Sequence, residues 1–152
     1  MIVKTVKVKK LGIIAAVSIA AALFIFLVLY GVVHAYSDDV VKLDTEVLRQ
    51  DFIKDLGWSV DSEYDESSVI KIPTEFGDVY EQYNELQKQQ GFNLEKYKGK
   101  TAEIYSYKIK NYPGDRQNVY INLLVFEGKL IGGDVSCNEL DGFMQGIKAH
   151  KS

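Results

Sequence analysis

Apolar positions follow three different periods along this chain. From Leu11 to Val33 they run on without a single charged residue, from about Thr45 to Gln89 they recur every three or four residues, and from Lys100 to Cys137 they alternate with polar ones. The first pattern predicts a membrane-spanning helix. At about 1.5 Å per residue it reaches roughly 34 Å, enough for a hydrocarbon core of about 30 Å. The second predicts amphipathic helices and the third predicts strands.

Taken in order, the helical segment opens with Thr45–Leu56, where Asp44 or Thr45 can cap, Leu48, Phe52 and Leu56 recur, and Gly57 can terminate. Trp58–Val60 reads as a short strand, Asp61–Ser68 as an acidic loop, and Val69–Ile72 as a short strand ended by Pro73. A second helix runs from Thr74 or Asp78 to Gln89, with Phe76, Val79, Tyr80, Tyr83 and Leu86 as its apolar stripe and Gly91 as its stop. Residues 93–99 form a connector.

The alternating part gives three strands, Lys100–Tyr112, Val119–Phe126 and Lys129–Cys137, and a terminal turn or short helix over Asp141–Ile147. Val119, Ile121, Leu123 and Val125 make one all-aliphatic face, and Ile131, Val135 and Cys137 make the matching face of the next strand. Facing residues share a side, so odd positions must pair with odd. A three-residue loop, Phe126-Glu127-Gly128 with Gly128 left-handed, satisfies this and sets Leu123 against Ile131, Val119 against Val135 and Tyr120 against Asp134. The expected fold is α+β in two layers: a mostly antiparallel sheet, including a C-terminal three-stranded meander, with two helices on its aliphatic face.

Charge sets the topology. Lys4, Lys7, Lys9 and Lys10 precede the apolar run, and all 21 acids follow it. The positive-inside rule then keeps residues 1–10 in the cytoplasm, makes 11–33 a single-pass helix, 34–43 a stalk and 44–152 an exported domain at the cell membrane. Tyr30 and Tyr36 suit the membrane interface. The competing reading is a signal peptide cleaved after Val33-His34-Ala35; the length of the apolar run favours a retained anchor. Beyond the run stand 14 bases against 21 acids, a formal charge of −7. That excludes nucleic acid as a partner and leaves the lipid bilayer and a protein or cell-surface partner.

Little of the exported part has catalytic character. Cys137 is alone and has the parity of a core residue, so it reads as a small buried hydrophobe before a nucleophile. His34 and His150 are too far apart in sequence to suggest a pair. Gly132-Gly133-Asp134 lacks the lysine and helix of a phosphate loop and reads as a bulge or a close approach of another element. Asp134, Asn138, Glu139 and Asp141 offer oxygen ligands without calcium-loop spacing. No catalytic residue, metal or cofactor is expected, and the domain is read as not an enzyme. Tyr120, Asn122 and Asp134 remain as ligand-binding candidates. They share the sheet face away from the aliphatic core, beside Leu124 and Leu130, where polar orientation and apolar area coincide.

Several stretches together resemble one family: Phe52–Trp58, Val79–Lys88, Gln90-Gly91-Phe92, Asn111-Tyr112-Pro113, Asn122–Val125, Gly128–Val135 and Gly142-Phe143-Met144. The pattern is similar to short, membrane-anchored clostridial proteins carrying domain-of-unknown-function family 4830. The resemblance implies a Gram-positive cell-surface context and brings no activity or catalytic residue with it. Ser136 stands where the family pattern places a cysteine directly after Asp-Val, and Cys137 follows, which moves the thiol to the other strand face. The function expected is a surface binding, interaction or sensing module. The alternative is a structural accessory subunit that meets another membrane protein through the stripe Ala15, Ala16, Ala20, Ala21 and Ala22. An extracellular hydrolase comes last.

Overall fold

The computed structural model describes residues 21–22, 24–26 and 41–148. The basic tail, the stalk before Val41 and nearly all of the expected membrane-spanning stretch lie outside the described residues. Among the described residues, no helix is long and apolar enough to cross a membrane. The chain divides into two units, Met1–Val40 and Val41–Ser152. The second unit holds the sheet.

Five strands form one antiparallel sheet in the order β1 (Glu66–Lys71), β2 (Thr101–Lys108), β3 (Val119–Phe126), β4 (Lys129–Cys137) and β5 (Met144–Gln145). The α+β class and the C-terminal meander are as the alternation implies. β1 starts earlier than its apolar residues suggest, because Glu66, Ser67 and Ser68 pair with Ser106, Tyr105 and Ile104. Trp58–Val60 is not a strand. Trp58 is instead a buried anchor whose Nε1–H donates to the Ile147 carbonyl at 2.6 Å, with Tyr112 stacked on its ring. Residues 144–145 form a strand where a turn or helix was expected.

The two helices lie on opposite faces of the sheet, which corrects the two-layer expectation. Helix α1 (Glu46–Asp55) packs Phe52 and Ile53 against Val119, Ile121, Leu123, Val125 and Val135, the aliphatic face. Helix α2 (Asp78–Gln89) carries Tyr80 and Tyr83 to a second cluster built on Ile72, Leu94, Ala102, Leu124 and Ile131. The second face of the sheet thus has an apolar patch of its own, and it too needs cover.

The helix faces also differ from their expected stripes. In α1, Leu48 is exposed and Arg49 is buried beside Ile53. Arg49 donates from Nη1 to the Leu43 carbonyl and from Nε to Tyr107 Oη, both at 3.0 Å, pairs with Glu46 at 2.9 Å, and lies 3.8 Å from the Tyr105 ring centroid. In α2, Val79 is 83% exposed, while Asn84 and Gln87 are buried. Asn84 Oδ1 accepts the Leu94 N–H at 2.8 Å, which fixes the 3-10 turn Leu94–Tyr97 beneath the helix. Arg49 and Asn84 are tolerated inside because their polar groups find partners. Gln87 is bonded through Oε1 and leaves its Nε2 without a partner among the described residues.

The β3–β4 hairpin keeps the expected parity with a different turn. Phe126 pairs directly with Lys129, so the loop is the two residues Glu127-Gly128, both at positive φ (50° and 73°). Such turns match the twist of the strands they join. Parity is recovered by a bulge, where Val125 pairs with Leu130 and Leu124 with Gly132, leaving Ile131 as the extra residue. Ile131 and Leu130 therefore exchange faces: Leu130 joins the α1 side and Ile131 the α2 side. Leu123 faces Gly133, Ile121 faces Val135 and Val119 faces Cys137.

The outer edge of β4 is closed piecewise. Leu43 N–H donates to Gly128 O and Leu130 N–H to Val41 O at one end, and Cys137 N–H donates to Phe143 O at the other. Between them, α2 and its C-cap residue supply two glutamines, Gln87 and Gln90, in place of a strand. Gly133 N–H donates to Gln87 Oε1 at 2.8 Å, and Gln90 Nε2 donates to Gly133 O at 3.0 Å. Gln90 Oε1 also accepts Ile147 N–H at 2.7 Å. A Cβ on Gly132 would sit 2.9 Å from Gln87 Oε1, and one on Gly133 would sit 2.6 Å from the Asn122 carbonyl. The glycine pair is there for close approach, in agreement with its sequence reading.

Candidate functional site

The α2 face of the sheet is only partly covered. Beyond the end of α2 that carries Tyr80 and Tyr83, the sheet forms the floor of a cleft of about 380 Å³. Its apolar wall is Ile70, Ile104, Leu124 and Met144, and its polar floor is Ser106, Asn122 and Asp134. A polar recess of about 300 Å³ continues it past Ser106 and Asn122 to Asp65, Tyr120, Ser136 and Asn138. The alternation of β2, β3 and β4 puts these groups on one side, since all the floor residues are even-numbered.

Asn122 and Asp134 are cross-strand partners. Asn122 Nδ2 donates to Asp134 Oδ2 at 2.8 Å and to Ser136 Oγ at 3.0 Å, while Ser106 Oγ donates to Asn122 Oδ1 at 2.7 Å. Tyr83 Oη donates to Asp134 Oδ1 at 3.1 Å from above. The chain of contacts therefore crosses β2, β3, β4 and α2. Burial raises the Asp134 pKa above the usual carboxylate range, against the opposing pull of Asn122, Tyr83 and Ser136, and no cation is among the groups acting on it. Burial first, then the Asp134 charge, push the Tyr83 hydroxyl far above its ordinary value.

The three sequence candidates do share one face. Asn122 and Asp134 come together, while Tyr120 lies one pair further along, opposite Ser136 and lining the recess. Two details are corrected. Asp134 faces Asn122 rather than Tyr120, because the two-residue turn and bulge shift the register. It is also only 4% exposed: its glycine neighbours leave room for α2 to lay Tyr83 over it. Leu130 does not accompany them, having moved to the α1 face. Tyr80, Tyr83, Ser106 and Ser136 were missed as members. Their signals were present in the i, i+3 spacing of the two tyrosines on α2 and the even parity of the two serines.

The remaining features read differently. Cys137 is buried opposite Val119 in the aliphatic core, as its parity implies. Glu139 and Asp141 meet Arg116, with Asp141 held by both guanidinium Nη atoms at 2.6 and 2.7 Å, so these oxygens are already neutralised. A wider cleft of about 690 Å³ lies along the outer side of α2, where Lys88 bonds Glu85 at 2.9 Å and Glu95 at 3.2 Å. Four acids line it against two lysines, and Lys88 is already held by two of the acids, so exposed, solvent-screened ion pairs occupy much of its wall.

Fold and site together define a one-sheet α+β domain with an open, half-apolar cleft on one face. The chain belongs to the family described as Domain of unknown function (DUF4830), whose model matches residues 52–135. That span runs from within α1 to Val135 and includes Asn122 and Asp134. No curated protein and no solved structure matches the chain.

Proposed function

We propose that this domain is a non-catalytic binding module, carried on the outer face of a membrane by the apolar stretch Leu11–Val33, and that its ligand seats in the cleft between β1, α2 and β5. The observation that carries this reading is the pairing of an organised polar floor with an exposed apolar wall. Ser106, Asn122 and Asp134 are fixed by mutual hydrogen bonds, while Met144 beside them is 54% exposed. Fixed polar groups give orientation, and apolar area that is still in contact with water gives affinity when covered. The separation of four basic residues before the apolar stretch from all 21 acids after it supports the placement outside.

The test uses the full chain in detergent micelles and a panel of four soluble probes. These are N-acetyl-lysine N-methylamide, N-acetyl-norleucine N-methylamide, N-acetylglucosamine and D-alanyl-D-alanine. The expected result is that at least one probe shifts the amide resonances of Ser68, Ser106, Asn122 and Leu124, and that Ser106→Leu, which fills the floor, removes the shift. A panel that leaves those resonances unmoved overturns the reading.

A further inference from the structure

We infer that the ligand group taken by this cleft is a protonated amine carried on an apolar stem, as on a lysine side chain. The inference rests on the reading of the cleft as the binding site and names the chemistry it selects. Four independent features of the same cavity converge on it.

The first is charge. Among the described residues, the charged ones lining the cleft and its recess are Asp65, Glu66 and Asp134, all acids, with no lysine or arginine among them. The second is the condition of Asp134. It is 4% exposed and held by neutral groups, the Asn122 amide, the Tyr83 hydroxyl and Ser136. Three neutral donors still leave part of its acceptor capacity open, and a buried carboxylate without a cation is costly. The third is Tyr80. Its hydroxyl is buried against the same cleft and has no hydrogen-bond partner among the described residues. A phenol oxygen can accept, and its ring packs edge-on to Tyr83 at 6.0 Å between centroids, adding an aromatic surface that attracts a cation. The fourth is the wall of Ile70, Ile104, Leu124 and Met144, which suits methylene groups and offers nothing to a second charge.

An ammonium has three donors and no acceptor. Asp134 and Tyr80 supply acceptors within the cleft, and Glu66 supplies a third at its β1 rim. A neutral hydroxylated ligand would use the same acceptors but leave the Asp134 charge uncompensated. An anionic ligand would face three acids. A guanidinium is the nearest competitor, and its planar fork needs a paired acceptor geometry that one half-occupied carboxylate does not present.

The two N-acetyl amides decide the matter, since lysine and norleucine share a stem and differ in the ammonium. The expected result is that the lysine probe binds at the cleft at least about tenfold more tightly than the norleucine probe, the ratio expected for one hydrogen bond to a charged partner. Its affinity should fall as salt is raised from 50 mM to 500 mM, while that of norleucine should not. Asp134→Asn, nearly isosteric, should erase the preference. Tyr80→Phe, which removes only the orphan hydroxyl, should reduce lysine affinity several-fold with the melting temperature unchanged. Norleucine binding in the cleft as tightly as lysine would overturn this inference and leave the binding-module reading standing. Absence of cleft shifts with every probe would overturn the reading itself. Retained lysine preference in both variants would also overturn the inference, because the ammonium would then be held elsewhere.

Discussion

The two faces of this sheet are made by the same strands and stabilised in different ways. On the α1 face, Ile121, Leu123 and Val135 are fully buried in an apolar cluster, so this stretch is closed mainly by shape. The Arg49–Tyr107–Glu46 hydrogen bonds and an apolar cleft of about 410 Å³ beside Phe52, Leu56 and Leu130 lie elsewhere on the same side. On the α2 face, one residue away along each strand, Ser106, Asn122 and Asp134 are joined by hydrogen bonds and part of the surface is left uncovered. Close packing tolerates little change of volume, whereas a hydrogen-bonded floor can exchange a protein or water partner for a ligand. The domain's freedom lies on one side of the sheet: the aliphatic layer under α1 carries stability, and the hydrogen-bonded floor under α2 carries the adaptable chemistry.

Neighbouring residues on β3 give the strongest way to break that division. Ile121→Ala removes a fully buried side chain from the closed face and should cost about 2–5 kcal/mol, the range for such truncations. Asn122→Ala, the next residue, removes donors and an acceptor from the open face, where water can enter, and should cost about 1–2 kcal/mol. Urea denaturation of both variants, with the slope on denaturant unchanged, measures the two. Equal costs would mean that the polar network carries as much of the fold as the aliphatic layer, and the division would fail.

Asp134 sharpens the comparison through pH. Its folded pKa is raised, chiefly by burial, so the native state holds this proton more tightly than the unfolded chain. Unfolded, the group titrates near its ordinary value of about 3.9. The sign follows from linkage: where the native state binds more protons, stability falls as pH rises. The contribution of Asp134 is therefore fully present below about pH 3.9 and is lost as pH climbs through its raised folded value. Asp134→Asn should remove that downward slope, with other carboxylates still titrating, and change stability at neutral pH by no more than about 1 kcal/mol. Thermal midpoints of both proteins from pH 3 to 8 give the difference curve. A difference that rises with pH in favour of the native aspartate would show that its charge is stabilised in the fold, and the open face would then be closed electrostatically.

What could be read from the sequence divides along the same line. Strict alternation made the aliphatic face of β3 legible, because every odd position from Val119 to Val125 is apolar. The shared face of Tyr120, Asn122 and Asp134 followed from parity alone. The register did not, because Glu127 accepts a positive φ usually left to glycine or asparagine, and one bulged residue then restores the pairing. Nor was the layering legible. Gln87 and Asn84 are polar by type and buried by position, since each bonds to backbone that would otherwise lack a partner: Gly133 N–H for one, Leu94 N–H for the other. Hydropathy assigns them to solvent and assigns Val79 to the core, which turns α2 away from its true face. Arg49 misleads for the same reason, its guanidinium being satisfied inside the fold.

The smallest expected effect compares adjacent residues near the end of β4. Cys137 is 6% exposed on the closed face, and Ser136 is half-buried on the open one, its Oγ accepting from Asn122. Thiol reactivity needs both access and the thiolate form. Native Cys137 should therefore react with a polar reagent such as 5,5′-dithiobis(2-nitrobenzoate) only as fast as the domain unfolds, and its rate should rise with urea in step with the unfolded fraction. In a Cys137→Ala background, Ser136→Cys places the same group one residue away. It should react from the native state, at a rate indifferent to low urea, while the melting temperature moves by only a few degrees. If the two thiols reacted alike, two outcomes would be possible. Equally slow labelling would mean that α2 and β5 seal the recess beside Ser136. Equally fast labelling would mean that the aliphatic layer opens without global unfolding. Either would remove the contrast between a face held by packing and a face held by hydrogen bonds, because reagent-sized access is the property on which the two are claimed to differ.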